Sequence, residues 1–137
     1  MTPVLIDTGC IVALLDRSER HHRACVESVS SIRAPLVTCE AVITESCYLL
    51  RKMPGAVEAV LKNVERGSFQ IPFWLTEQVA LVSRLVTRYA NVPMDFADGC
   101  LVTLATAYGA GRILTLDSDF VIYRWGKNRP FELIPEQ

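Results

Sequence analysis

The stretch that most constrains this chain is its first apolar run, Val4-Leu5-Ile6, which ends in Asp7 and Thr8. Consecutive large aliphatics without polar alternation suit a strand covered on both faces, as in a parallel sheet between layers of helix. In such sheets ligands gather beyond the carboxyl ends of the strands. Asp7 is therefore expected at the edge where chemistry takes place. A second run of the same design, Arg112-Ile113-Leu114-Thr115-Leu116, ends in Asp117-Ser118-Asp119. If the two strands are parallel neighbours, their acids converge despite their separation in sequence.

Helical and strand patterns alternate along the rest of the chain. Helices are predicted over Cys10–Leu15, from a Ser18 cap to about Ser31 with Ala24, Val26, Val29 and Ile32 inward, and over Glu40–Lys52 and Gly55–Arg66. Two more run from a Thr76 cap to Tyr89 and from Asp95 to Tyr108, the latter closed by Gly109-Ala110-Gly111. Strands are predicted at Pro35–Thr38, Phe69–Pro72, Ile113–Leu116 and Phe131–Ile134. This order is that of an α/β protein, a three-layer α/β/α sandwich around a central parallel sheet of four to five strands. A length of 137 residues predicts a single domain over residues 1–137.

The net charge of −1 provides no global basic field, which argues against tight nonspecific binding of nucleic acid but not against a nuclease. The five cysteines contain no C-x-x-C pair, so neither a disulfide framework nor a zinc knuckle is indicated, and they read as small core residues of a reducing cytosol. With no signal-peptide pattern and no apolar stretch of membrane-spanning length, the expectation is a cytoplasmic protein without a membrane partner.

The candidate site residues are acids near strand ends or in apolar helices: Asp7, Glu45, Asp98, Asp117 and Asp119, with Asp95 and Thr8 as accessories. Each has an ordinary reading beside the functional one. Asp7 and Asp95 suit helix caps, Asp98 suits the first turn of its helix, Glu45 could be an exposed helical residue, and Asp119 could cap a short turn over Phe120–Arg124. Taken together, several carboxylates in one pocket repel one another unless a divalent cation lies between them. Donors that are all oxygen point to Mg²⁺ or Mn²⁺ rather than zinc. Such a cluster suits phosphodiester hydrolysis, with Asp7, Asp98 and Asp117 as ligands, Glu45 binding a second cation or positioning water, and Asp119 in an outer role.

Asp7-Thr8 after an apolar strand, Glu45 within a helix, Asp98 at a helix start, and the Thr-x-Asp-x-Asp-Phe run from Thr115 to Phe120 together resemble the PIN-domain ribonucleases, including the VapC-type toxins of bacterial toxin–antitoxin pairs. The resemblance covers essentially the whole chain. It implies an endoribonuclease dependent on Mg²⁺ or Mn²⁺, a PIN-like fold, frequent homodimers and, within the toxin subgroup, an antitoxin partner. The family's acids fall on Asp7, Glu45, Asp98 and Asp117, with Asp119 a common fifth. Many VapC-type toxins place an asparagine three residues before the aspartate of the last motif, whereas Asp117-Ser118-Asp119 is shorter, so the division of roles between Asp117 and Asp119 stays open.

For the RNA backbone, Arg124, Lys127 and Arg129 are the expected contacts, following closely on the last acids. Arg17, Arg20, His21, His22 and Arg23 read as a solvated face. Phe73, Trp74 and Trp125 read as core or dimer contacts, and a homodimer is expected to use the helices between Gly55 and Tyr89. The alternatives are a non-catalytic PIN-like module that binds RNA or protein, and a small-molecule phosphatase, for which the phosphate-binding glycine loop is absent.

Overall fold

Val4–Ile6 forms β1, and all three of its residues are fully buried. In the computed structural model, which describes residues 1–136, β1 is the middle strand of five in the order β3-β2-β1-β4-β7, every pair parallel. The partners are β2 (Leu36–Val37), β3 (Phe69–Gln70), β4 (Arg112–Leu114) and β7 (Glu132–Ile134). Leu5 is in register with Val37 on one side and Ile113 on the other. The proline after β3 is tolerated because β3 is an edge strand.

The helices are α1 (Thr8–Leu15), α2 (His22–Ser31), α3 (Glu40–Leu49), α4 (Ala56–Glu65), α5 (Leu75–Arg88) and α6 (Phe96–Tyr108). Right-handed crossovers place α1 to α4 on one face of the sheet and α5 and α6 on the other. α1 packs against α2, α3 and α4 and α5 against α6, while α3 also meets α6 across the division. The chain leaves β1 towards β2 but returns from β3 across the sheet to β4. The order therefore reverses between β1 and β4, the position where open α/β sheets bind ligands.

The core is continuous, and α6 lies deepest in it: every residue from Ala97 to Ala105 is buried. Its small residues, with Leu101 and Leu104 between them, fill the space between α5 and the sheet. All five cysteines are free thiols and four are buried, matching their reading as core residues.

Several local expectations are corrected. Ser18 does not cap α2: its backbone N and its hydroxyl both donate to Asp16 Oδ1, at 2.9 and 2.6 Å, which makes a turn and delays the helix to His22. On α2 the fully buried residue is Cys25, while Val26 faces solvent. Thr76 is not a cap, since α5 begins one residue earlier, with Trp74 in the cap position. α3 ends at Leu49, where the Arg51 guanidinium donates to the Tyr48 carbonyl at 2.7 Å. A hairpin absent from the sequence reading, β5 (Arg124–Trp125) and β6 (Arg129–Pro130), follows a 3₁₀ turn at Ser118–Val121.

The hairpin is docked by Trp125, whose indole lies so close to Gly111 that a Cβ there would fall 2.5 Å from Nε1. Gly111→Ala should expel the indole and cost about 1–3 kcal/mol. Chemical denaturation should show this loss in Gly111→Ala, and a much smaller further loss when Trp125→Ala is already present; equal losses in both backgrounds would refute the contact.

Candidate metal centre

The carboxyl edge of β1 and β4 is where side chains from four segments meet. Asp7 ends β1 and caps α1: its Oδ1 accepts from Thr8 N at 2.8 Å. Its Oδ2 accepts from the Thr115 hydroxyl at 2.9 Å, so both oxygens are held inside a buried environment. The same Thr115 oxygen accepts from Asp117 N at 3.0 Å, tying the end of β4 to the end of β1. Asp117 Oδ1 then accepts from Asp119 N at 2.9 Å, which opens the 3₁₀ turn.

From the opposite face of the sheet, α6 brings Asp98. Asp95 caps this helix by accepting from Asp98 N at 2.8 Å, and Asp98 Oδ2 answers from Asp95 N at 3.4 Å, a reciprocal capping box. Asp95 therefore has the capping role and also faces the pocket. From α3, Glu45 reaches over the rim, where its Oε1 accepts from the Thr8 hydroxyl at 2.8 Å. Asp7, Thr8, Glu45, Asp95, Asp98 and Asp117 line one open cavity of about 290 Å³.

One oxygen each from Asp7, Asp98 and Asp117 lies within 4.8 Å of the others. The ion pairs among the described residues, Lys62–Glu65 and Arg112–Glu132, include none of these acids. Burial pushes Asp7 up to about 6 from its ordinary 3.8, with Asp117 and Glu45 adding to the rise and the bonds from Thr8 and Thr115 opposing it. Asp98 is pushed up to about 8, first by burial and then by the charges of Asp95 and Asp7. Hard oxygen donors, crowded and without a counter-ion from the chain, fit a hard divalent cation, and Asp7, Asp98 and Asp117 are the residues that would hold it.

Other expected contacts are placed elsewhere. Asp119 does not line the cavity; its backbone N, not its carboxylate, is what touches Asp117. Arg124 turns its Nη1 onto the carbonyls of Val121, Ile122 and Tyr123, at 2.8, 3.1 and 3.0 Å, and so closes the 3₁₀ turn. Lys127 and Arg129 are exposed on the hairpin, where Arg129 lies over Trp125 and Gly126 N donates to Thr106 at 2.9 Å. Thr106 is eight residues along α6 from Asp98, about 12 Å, so the hairpin carrying Lys127 and Arg129 docks towards the far end of α6.

Two residues at the site carried no role in the sequence reading. Thr115 stood inside the last motif as a lone hydroxyl in an apolar strand, which is a usable signal. Tyr123, whose hydroxyl donates to Asp98 Oδ2 at 3.3 Å, had none.

A PIN domain model matches residues 4–125 of the chain. The chain is 32% identical over 116 residues to Ribonuclease VapC26 of Mycobacterium tuberculosis, covering 83% of this chain and 86% of that one. Among solved structures it is similar to VapC20 of Mycobacterium tuberculosis, described as a sarcin-ricin loop cleaving toxin, with a TM-score of 0.78 at 16% identity over 85% of this chain and 91% of that one. It is also similar to VapBC2 of Rickettsia felis bound to a promoter DNA fragment, with a TM-score of 0.65 at 14% identity over 96% and 98%.

The raised carboxyls set a pH dependence. Because Asp7 and Asp98 titrate higher folded than unfolded, their contribution to stability is present below about pH 4 and is lost as pH rises through about 6 and 8. In EDTA the melting temperature should therefore carry a decline between pH 6 and 9 that Asp98→Asn largely removes. Identical pH profiles for the two proteins would contradict the crowding of these groups.

Proposed function

The chain belongs to the PIN domain family, and from that premise we propose that it is a metal-dependent endoribonuclease of the VapC type, the toxin of a toxin–antitoxin pair. The observation that carries the metal-dependent part is the convergence of Asp7, Asp98 and Asp117 oxygens at the sheet's switch point. The relative named a ribonuclease supports the reaction class, and the solved neighbours supply the fold. An antitoxin protein is the partner this reading requires, and an RNA strand is the substrate. The whole described chain acts as one domain in this reading, located in the cytoplasm; among the described residues no helix is long and apolar enough to cross a membrane.

When bound, Mg²⁺ or Mn²⁺ supplies Lewis-acid stabilisation of a scissile phosphate and activation of water. Asp7, Asp98 and Asp117 would hold the cation. Glu45 has Oε1 engaged by Thr8 and lines the cavity, and in this reading its carboxylate orients the attacking water. The N-termini of α1 and α6 both open on the cavity, and the positive ends of their dipoles favour the phosphate that the carboxylates alone would repel. Asp119 acts through its backbone N on Asp117, so of the two acids Asp117 takes the ligand role. A binding module without catalysis would have no need of three converging carboxylates.

The homodimer belongs to the same proposal. Trp74 is 70% exposed and Phe96 49% exposed, and Leu75, Val79 and Tyr108 add to an apolar surface on α5, α6 and the loop before α5. That surface lies beside the rim where Phe96 and Asp95 meet Glu45. A second copy packing there would set two cavities near one interface.

Two measurements test the proposal. Wild type should cleave single-stranded RNA with Mg²⁺ or Mn²⁺ and stop in EDTA, and Asp7→Asn should lose at least about 100-fold, the upper range for loss of outer-sphere metal contacts, while melting no lower than wild type without metal. Cleavage in excess EDTA would sink the metal reading. In sedimentation at micromolar concentration, wild type should run as a dimer and Val79→Arg as a monomer; a monomeric wild type removes the dimer.

A further inference from the structure

We propose that Tyr123 is a positioning residue for Asp98, holding that carboxylate in the orientation a cation needs; the inference rests on reading the acid pocket as a metal site. Tyr123 is fully buried beneath the cavity. Its ring meets Tyr89 edge to face with centroids 5.2 Å apart and Phe120 at 5.1 Å, and Phe120 meets Phe131 at 5.5 Å. Interlocked edge-to-face contacts leave such a ring little freedom, so its hydroxyl is fixed in place.

The hydroxyl donates to Asp98 Oδ2 at 3.3 Å. This is longer than usual for a hydroxyl and a carboxylate, a modest bond held in place by the packed ring. The other donor to that oxygen is Asp95 N, at 3.4 Å. Among the described residues, Asp98 Oδ1 accepts no hydrogen bond, and it remains for the cation. Without the tyrosine hydroxyl, Asp98 would be held by the long capping-box contact alone and could rotate about its last torsion, which is a soft one.

Placement in the chain gives the hydroxyl a second effect. The 3₁₀ turn that starts from Asp117 carries Phe120 and delivers Tyr123, so the segment presenting one acid reaches across to fix another. Asp98 on α6 and Asp117 after β4 are thereby set relative to each other through the core and not only through the cavity. Tyr89 is an internal control: its hydroxyl belongs to the same aromatic cluster but accepts from Arg124 N at 3.1 Å and, among the described residues, bonds to no acid.

The experiment compares wild type, Tyr123→Phe and Tyr89→Phe, each as the intact chain. Mn²⁺ binding is measured by electron paramagnetic resonance without RNA, alongside melting temperature and single-turnover cleavage. Tyr123→Phe keeps the ring and should stay folded while its Mn²⁺ affinity falls about 10-fold, as loss of a contact behind a metal ligand does, with cleavage falling in parallel. Tyr89→Phe should match wild type in Mn²⁺ binding. Equal Mn²⁺ affinity in wild type and Tyr123→Phe overturns the proposal and leaves the metal-nuclease reading standing. A Tyr123→Phe chain that does not fold, or an equal loss in Tyr89→Phe, assigns the hydroxyl to packing and overturns it as well. A wild type that binds no Mn²⁺ overturns both.

Discussion

Three carboxylates with oxygens drawn to within 4.8 Å of one another, with no ion pair to any of them among the described residues, are the strain to which the rest of the structure responds. Burial and mutual repulsion both disfavour their ionised forms. What opposes this is a set of donors that cannot easily move: the Thr8 and Asp119 backbone N–H groups, the buried Thr115 hydroxyl and the capping box between Asp95 and Asp98. Each of these donors is anchored by a secondary-structure end. The pocket is built from the places where strands stop and helices begin.

The topology explains why those ends coincide. With β1 central and the crossovers reversing between it and β4, the loops after these strands part to opposite faces and leave a crevice. Asp7 and Asp117 stand on its two walls, and α6 closes it from below with Asp98. α6 can approach because its buried face is made of small residues, so that Ala97 to Ala105 fit between α5 and the sheet. The cost of that closeness is a helix without an apolar stripe. It is apolar nearly all round, as a helix enclosed on every side must be.

That distinction governs how much could be read from the sequence. The five strands of the main sheet were legible because each is a short aliphatic or aromatic run flanked by turn residues, and Asp7, Asp98 and Asp117 were legible because their acids interrupt such runs or open a helix. Caps were harder. Ser18 is as good a cap residue as any, but Asp16 lies two residues before it and captures it in a turn, a local competition that propensity does not rank. The hairpin left no trace because its strands are two residues each and one contains Pro130. Lys127 and Arg129 follow Asp117 closely in sequence, and the hairpin that carries them docks beside Thr106 on α6. Tyr123 was silent because an aromatic residue after an acidic motif looks like any core residue until its hydroxyl is seen to have a partner.

The hairpin's position gives the molecule an uneven electrical shape. α6 runs from the acid pocket at its start to the hairpin beside its end, so the pocket carboxylates lie at one end of the helix and Lys127 and Arg129 at the other. With a net charge of −1 there is little overall field to mask this asymmetry. A cation held by the pocket would lessen that difference between the two ends of α6, so filling the acids and the charge of the hairpin bear together on how a polyanion meets the molecule.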